Sequence, residues 1–175
     1  MNRTKWVKRK FEFNLPVGVF ACVLERLRGT PARLEETARA LPPHVLTAKP
    51  NDPWSIQEHV GHLLDLDELH EGRLEDYAQR LLTLRPADMS NRKTYEADHN
   101  AARIEDLLAN FRAARGSFVH RLEEFTEDEI ALSALHPRLG QPMRVIDLAL
   151  FVAEHDDHHL ATITEISRIL NDRKG

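Results

Sequence analysis

The sequence has a single cysteine, no long apolar run and no excess of basic charge. Cys22 cannot form an internal disulfide, which excludes a small secreted scaffold held together by disulfides. No stretch reaches the ~18 apolar residues of a membrane-spanning helix, so we expect no membrane partner. Lys and Arg number 24 against 28 Asp and Glu, and the net charge of −4 argues against binding nucleic acid through a basic surface.

The remaining composition indicates one globular domain over residues 1–175. Hydrophobic residues make up 42% of the chain and charged residues 30%, and this hydrophobic fraction is too high for a disordered tail. Basic residues precede the apolar run 15–24, as in an export signal, but polar residues, Pro16 and Gly18 interrupt the pattern. We therefore expect a cytoplasmic protein in which residues 1–14 form an extended arm. Phe11, Phe13 and Leu15 alternate with polar residues there, as in a short strand.

Four long amphipathic stretches, separated by prolines, predict an all-α four-helix bundle. They cover about 19–41, 55–81, 94–125 and 143–170. The second opens with a capping box between Ser55 and Glu58, and a short helix opens with a similar box between Thr126 and Glu129. Residues 133–143 contain Gly140 and two prolines, which predicts a turn or small hairpin at one end of the bundle.

Ten histidines are unusual for this length, and two of them interrupt the apolar face of the last helix. His155 and His159 are four residues apart, so both lie on one helix face and both imidazoles could reach one metal ion. His158 is turned about 100° from His159 and is a poor ligand candidate. A hydrogen-bonded pair of core histidines is the alternative, because each buried ring needs a polar partner.

A third metal ligand is expected from the second helix, which carries His59, His62 and His70. Periodicity points His59 and His70 more directly inward than His62, but it does not decide among the three. Asp67 and His70 also share one helix face. They could form a buried Asp–His pair behind or beside the metal, or they could simply be core residues whose hydrogen bonds are satisfied there.

Two motifs resemble the DinB/YfiT-like family of metalloenzymes. The first is WSIQEHVGHLLD at 54–65, and the second is HDDHH at 155–159. The stretch 27–34 also looks like the first helix of that family. The resemblance extends from about residue 24 to 170, with the motifs in the same order.

The resemblance implies an up-down-down-up bundle that holds a divalent metal, nickel or zinc, through His62, His155 and His159. His59 is the fallback if His62 is not a ligand. Many family members are dimers, so a homodimer is expected. The characterised relatives include bacillithiol transferases and mycothiol-dependent maleylpyruvate isomerases, which implies a low-molecular-weight thiol as co-substrate.

The first functional hypothesis is that this chain is a thiol-dependent S-transferase that acts on a small electrophile. The alternatives are a hydrolase that uses metal-bound hydroxide and a non-catalytic, stress-associated metal-binding dimer. Asp65, one turn beyond His62, is the candidate catalytic residue, because it could orient a ligand or accept a proton. Asp156 could do likewise beside His155, although an ordinary solvated acid is the preferred interpretation. His99 is expected to lie outside the apolar face of its helix, and His136 is expected in a solvated loop, with a position over the pocket as the alternative.

Overall fold

The computed structural model describes residues 3–172 and contains four long helices. In chain order the elements are α1 (Phe20–Arg39), α2 (Pro43–Leu46), α3 (Ile56–Ala78), α4 (Arg92–Glu96), α5 (Ile104–Glu123), α6 (Glu127–Ile130), β1 (Ser133–His136), β2 (Gln141–Arg144) and α7 (Val145–Asp172). The strands form an antiparallel hairpin in which Ala134 lies opposite Met143. The predicted all-α bundle with a small hairpin is confirmed. Within the described range, no helix has the length and hydropathy needed to cross a membrane.

Contacts between side chains of different helices define the direction of each long helix. The pairs are Arg28–Glu123 and Glu35–Arg112 between α1 and α5, Asp67–Arg115 and Glu71–Arg121 between α3 and α5, and His59–His159 and Tyr77–Met143 between α3 and the segment around α7. Helix α1 therefore runs antiparallel to α5, α3 runs parallel to α5, and α3 runs antiparallel to α7. This is the up-down-down-up arrangement that the resemblance implies.

Both predicted capping boxes are confirmed, and the first one fixes where α3 begins. The Ser55 hydroxyl accepts from the backbone N–H of Glu58 at 3.1 Å, and the Glu58 carboxylate accepts from the backbone N–H of Ser55 at 2.7 Å. Thr126 and Glu129 form the same reciprocal pair before α6. Because these bonds satisfy the free donors of the first helical turn, each helix starts at a defined residue.

Two sequence predictions of local structure are wrong. The single helix expected over 94–125 is divided into α4, a 3₁₀ turn at His99–Ala101 and α5, because Asp98 adopts a left-handed conformation with φ of 44°. The N-terminal arm has no strand in residues 3–14. It contains a 3₁₀ turn at Trp6–Lys8, and its aromatic side chains pack against the bundle instead of pairing with another strand.

A buried polar layer divides the core of the bundle into two apolar clusters. Its members come from all four long helices: Thr30, Asp67, Arg115 and Asp156. Arg115 Nη2 donates to Asp67 Oδ1 at 2.9 Å and to Asp156 Oδ1 at 3.1 Å, and the Thr30 hydroxyl donates to Asp156 at 2.8 Å. Since both carboxylates share one guanidinium, the layer fixes the axial register of the helices beside the histidines.

Candidate metal centre

Helices α3 and α7 bring His62, His155 and His159 together. One ring nitrogen of each lies within 4.8 Å of the other two, and the three side chains are buried. The Nε2 atoms of His155 and His159 are 3.1 Å apart. The spacing of four residues on α7 places these two rings one turn apart on one face, as expected from the sequence. Of the three candidates on α3, His62 is the one whose ring completes this cluster.

The orientation of the His62 ring is set by a chain of hydrogen bonds through Thr94 of α4. His62 Nδ1 lies 3.0 Å from the Thr94 hydroxyl, which donates to Asp65 Oδ2 at 2.9 Å. Because the hydroxyl hydrogen points to Asp65, the hydroxyl oxygen accepts from His62 Nδ1–H. The lone pair of His62 therefore resides on Nε2, the nitrogen that remains available to a metal.

Asp65 receives a second hydrogen bond, from His99 Nε2 at 2.9 Å. Partial burial opposes ionisation of this carboxyl, but the hydrogen bonds from His99 and Thr94 outweigh it and hold the pKa of Asp65 below its usual value. The His99 ring packs on the backbone of Gly61, where a Cβ would lie 2.2 Å from His99 Cγ. Glycine at position 61 thus allows the close approach that brings His99 to Asp65.

His159 is supported from behind by His59, the fallback ligand. The Nδ1 atoms of these two rings are 2.8 Å apart, and His59 Nε2 lies 3.4 Å from Asp52 Oδ1. When His159 Nδ1–H donates to His59, the remaining proton of His59 is on Nε2 and faces the Asp52 carboxylate. The structure therefore places His59 behind His159 and not in the cluster itself.

The chemistry of the three rings fits a divalent metal. Burial lowers the pKa of His62 to about 3 and lowers the pKa values of His155 and His159 far below the usual value. The rings are therefore neutral near pH 7 and can offer lone pairs, as metal ligands must. Tetrahedral zinc with bonds of about 2.0–2.1 Å separates two nitrogens by about 3.4 Å. The spacing of 3.1 Å between the two rings of α7 is close to this value.

A cavity of about 240 Å³ opens onto the three histidines. Aromatic and aliphatic side chains form much of its wall: Trp6, Trp54, Leu66, Leu69 and Phe151. The centroids of the Trp6 and His155 rings are 4.8 Å apart, and those of the Trp54 and His62 rings are 4.5 Å apart. The arm and the residue before the α3 cap thus cover the histidines from two sides. The volume suits a small molecule.

One sequence expectation about a nearby residue is wrong, and one open alternative is decided. Asp156 is fully buried and bound to Arg115, not solvated. Asp67 also binds Arg115, so of the two alternatives for Asp67 and His70 the Asp–His pair does not form: Asp67 is satisfied in the core by Arg115, and His70 Nδ1 has no hydrogen-bond partner among the described residues. The reason is that Arg115 reaches both acids from α5, a contact that the sequence of α3 cannot reveal.

Several residues that surround the histidines carry little signal in the sequence. Thr94 had no distinguishing signal, because it lay at the start of a helix that was predicted too long. His99 is buried although it was expected outside the apolar face of its helix, and His136 is buried and lines the cavity, which was the alternative to a solvated loop position. His158, correctly excluded from the cluster by its angle on the helix, is partly exposed and lies against Arg3, whose Nη1 donates to its carbonyl at 3.0 Å.

The fold and the site define this chain as a four-helix bundle with a candidate three-histidine metal centre between two helices. Comparison with models of known families matches residues 26–163 to the DinB superfamily. The chain belongs to the DinB superfamily, and the resemblance seen in its two histidine motifs is confirmed. No curated protein matches the chain.

Among solved structures, the chain is similar to YfiT from Bacillus subtilis. The TM-score is 0.79 at 22% sequence identity, over 93% of this chain and 94% of that one. YfiT is described as a probable metal-dependent hydrolase with an unusual four-helix bundle topology. At this level of identity, the similarity shows that the two chains share a fold.

Proposed function

We propose that this chain is a metal-dependent enzyme that transfers a low-molecular-weight thiol to a small electrophile. The observation that carries the proposal is the cluster of three buried, neutral imidazoles, within 4.8 Å of one another, facing a cavity of about 240 Å³. Three neutral nitrogen ligands suit zinc or nickel and leave a coordination position for a further group. A bound divalent metal supplies positive charge that favours the deprotonated form of a thiol or water.

The side chains around the cavity support a thiol as the nucleophile. Among the described residues that line it, the only carboxylate is Asp88, which is exposed and accepts hydrogen bonds from the backbone of Ser90 and Arg92. A free thiol has a pKa near 8.5, so little help from a protein base is needed to ionise it. Water is a much weaker acid, and its activation gains more from such a base.

In this proposal the residues around the histidines position the ligands instead of reacting. Thr94 and Asp65 hold the tautomer of His62, and His59 with Asp52 holds that of His159. Asp65 is thus proposed as a positioning residue that acts through Thr94. The aromatic rings of Trp6 and Trp54 exclude water from the face of the cluster.

Hydrolysis is the second candidate, and the description of YfiT as a probable metal-dependent hydrolase supports it. The same three histidines and the same cavity serve this reaction, with water in place of the thiol. The two candidate reactions therefore use the same three histidines as metal ligands and differ only in the nucleophile, a thiol or water.

Metal analysis of the purified protein tests the shared basis of both candidates. We expect one zinc or nickel per chain in the wild type, and loss of that metal in His62→Ala and in His155→Ala. His120→Ala, which alters an exposed histidine, is the matched control and should retain the metal. Metal retention in His62→Ala together with loss in His59→Ala would assign the third ligand to His59.

A thiol screen separates the candidates. The metal-loaded protein is incubated with an activated aryl halide or an activated ester, with or without cysteine, glutathione and related small thiols. A thioether or thioester that forms only with thiol, at the expense of thiol, supports transfer. Thiol-independent turnover supports hydrolysis, whereas a metal-bound protein with neither activity supports the non-catalytic alternative.

A further inference from the structure

A second group of polar side chains lines the same cavity and plays no part in holding a metal. It consists of Arg73 on α3, His136 at the end of β1, and Arg138 in the hairpin turn. Arg73 is 2% exposed and His136 is also 2% exposed, while Arg138 is half-buried. All three present nitrogen donors, and two of them carry a permanent positive charge.

Neither arginine has a carboxylate partner among the described residues. Arg73 donates from Nε to the Arg85 carbonyl at 3.2 Å, and it forms no ion pair within residues 3–172. The nearby carboxylate of Asp76 is taken by Arg85, whose Nη2 lies 2.7 Å from Oδ1. The Arg138 guanidinium lies 5.6 Å from the centre of the Phe151 ring, and its buried Nη2 atom has no hydrogen-bond partner in the part of the chain that the structure describes.

His136 adds an unpartnered donor whose position is fixed by the backbone. Its Nδ1 accepts from the backbone N–H of Leu139 at 3.3 Å. Burial, with the charges of Arg73 and Arg138, lowers the pKa of His136 to about 4, so the ring is neutral near pH 7. The single ring proton is therefore on Nε2, and this buried atom has no partner among the described residues.

Unpaired buried donors are unfavourable in a folded protein, most of all when they are charged. Two such atoms, His136 Nε2 and Arg138 Nη2, line this cavity beside the Arg73 guanidinium, and they oppose folding unless a ligand satisfies them. Guanidinium groups match the paired oxygens of carboxylates and phosphates, and the Nε2–H of a neutral histidine adds a further donor to the same group. The group that complements this set carries negative charge on oxygen.

We infer that Arg73, Arg138 and His136 form a subsite for an oxyanion group, a carboxylate or a phosphate, on the small molecule that enters this cavity. Its assignment to the substrate rests on the proposed function, since the three metal-candidate histidines line the same cavity. Anion binding itself does not depend on any reaction. The substrate is accordingly a small electrophile, or its thiol partner, with at least one acidic group.

Calorimetric titration of the full chain tests the subsite with propionate, with propionamide as a neutral probe of nearly the same shape, and with inorganic phosphate. We expect propionate or phosphate to bind and propionamide not to bind.

Arg138→Gln should weaken anion binding at least tenfold, because one charge-assisted hydrogen-bonding group is lost. Arg103→Gln, which removes an exposed arginine outside the cavity, should leave binding unchanged. Tighter binding of phosphate than of propionate would identify phosphate as the preferred group.

The same titrations are repeated after removal of metal with a chelator. Anion binding that persists without metal and weakens in Arg138→Gln supports the subsite. The subsite would be overturned if anion binding disappeared with the metal or if propionate and propionamide bound equally. It would also be overturned if Arg138→Gln and Arg103→Gln changed anion binding by the same amount. Arg138→Lys, which keeps the charge but not the planar fork, should bind between the wild type and Arg138→Gln and controls for altered folding.

Metal content measured on the same samples keeps the two proposals apart. A metal-bearing chain without a preference for anions would leave the metal-dependent function intact and reject the subsite. A chain that binds propionate through Arg138 but binds no metal would reject the metal-dependent function and retain the subsite.

Discussion

The Thr94 hydroxyl accepts a hydrogen bond from His62 Nδ1 at 3.0 Å, and this contact connects two parts of the chain that are separated by 32 positions. Thr94 lies on α4, in the crossover that joins the parallel helices α3 and α5. The crossover thus has a structural role beyond connection, because it sets which nitrogen of His62 faces the cavity. Asp65 completes the arrangement by accepting the Thr94 hydrogen.

Thr94→Val should weaken metal binding by about 10- to 100-fold without unfolding the protein, because loss of the outer hydrogen bond frees the His62 ring to rotate. Zinc affinity is measured by competition with a chromogenic chelator. Thr164→Val, at an exposed position on α7 where the hydroxyl bonds only to the Leu160 carbonyl, is the control. Equal affinities of the two variants would show that Thr94 does not orient the ligand.

Glycine replacements at two helical positions should have opposite effects on stability. Gly61→Ala places a Cβ 2.2 Å from His99 Cγ, so His99 must move away from Asp65, at a cost of about 1–3 kcal/mol. Gly116→Ala in α5 meets nothing within 4 Å and should raise the free energy of unfolding by about 0.5–1 kcal/mol. Urea unfolding of both variants measures these changes in the free energy of unfolding. If Gly116→Ala destabilised the protein as much as Gly61→Ala, the packing argument would be contradicted.

Arg115→Met should lower the free energy of unfolding by about 3–5 kcal/mol near pH 8, because it leaves Asp67 and Asp156 buried without a cation. The loss should shrink near pH 5, where protonation can neutralise the orphaned carboxyls. Arg112 is an exposed residue on the same helix as Arg115 and pairs with Glu35 of α1, which keeps Arg39 as a second partner. Arg112→Met should therefore change stability by less than about 1 kcal/mol. A loss for Arg115→Met that does not vary with pH would argue against buried charge as its cause.

His136 should make the protein less stable in mild acid. Its pKa is lowered by burial to about 4 in the folded chain, whereas the unfolded chain has a pKa near 6.5. Between these values the unfolded state binds more protons, so stability falls as the pH falls, by about 1.4 kcal/mol per pH unit from this residue. His136→Asn removes the titrating group but keeps an acceptor near Leu139.

Urea unfolding of the wild type and of His136→Asn between pH 7 and pH 4.5 measures this contribution as a difference. The variant should gain stability relative to the wild type as the pH is lowered through this range. A constant difference in the free energy of unfolding would mean that His136 keeps its ordinary pKa in the folded protein.

The homodimer implied by the family resemblance stays a prediction, as does the choice between nickel and zinc. Light scattering of the purified chain measures its oligomeric state. Elemental analysis of protein isolated without added metal identifies the bound metal. Neither result alters the ligand geometry described above.

The sequence by itself determined the number of long helices, their capping signals and the pairing of His155 with His159. These features depend on neighbours within one or two helical turns, where residue spacing translates directly into geometry. The capping box at Ser55 and the spacing of four on α7 are examples, and the structure shows both. The family resemblance then added His62, which periodicity had placed at the flank of α3.

Only the tertiary structure decided which residues support these histidines. Thr94, His99, Arg115 and the arginines of the second subsite come from other elements, and their contacts depend on how the helices and the crossover pack. The left-handed residue Asp98 divides the helix that the sequence predicted over 94–125, and Arg115 binds Asp67, for which the sequence left a pair with His70 as one of two alternatives. Contacts between distant residues follow from packing and from the need to satisfy buried polar groups, and neither is encoded in local spacing.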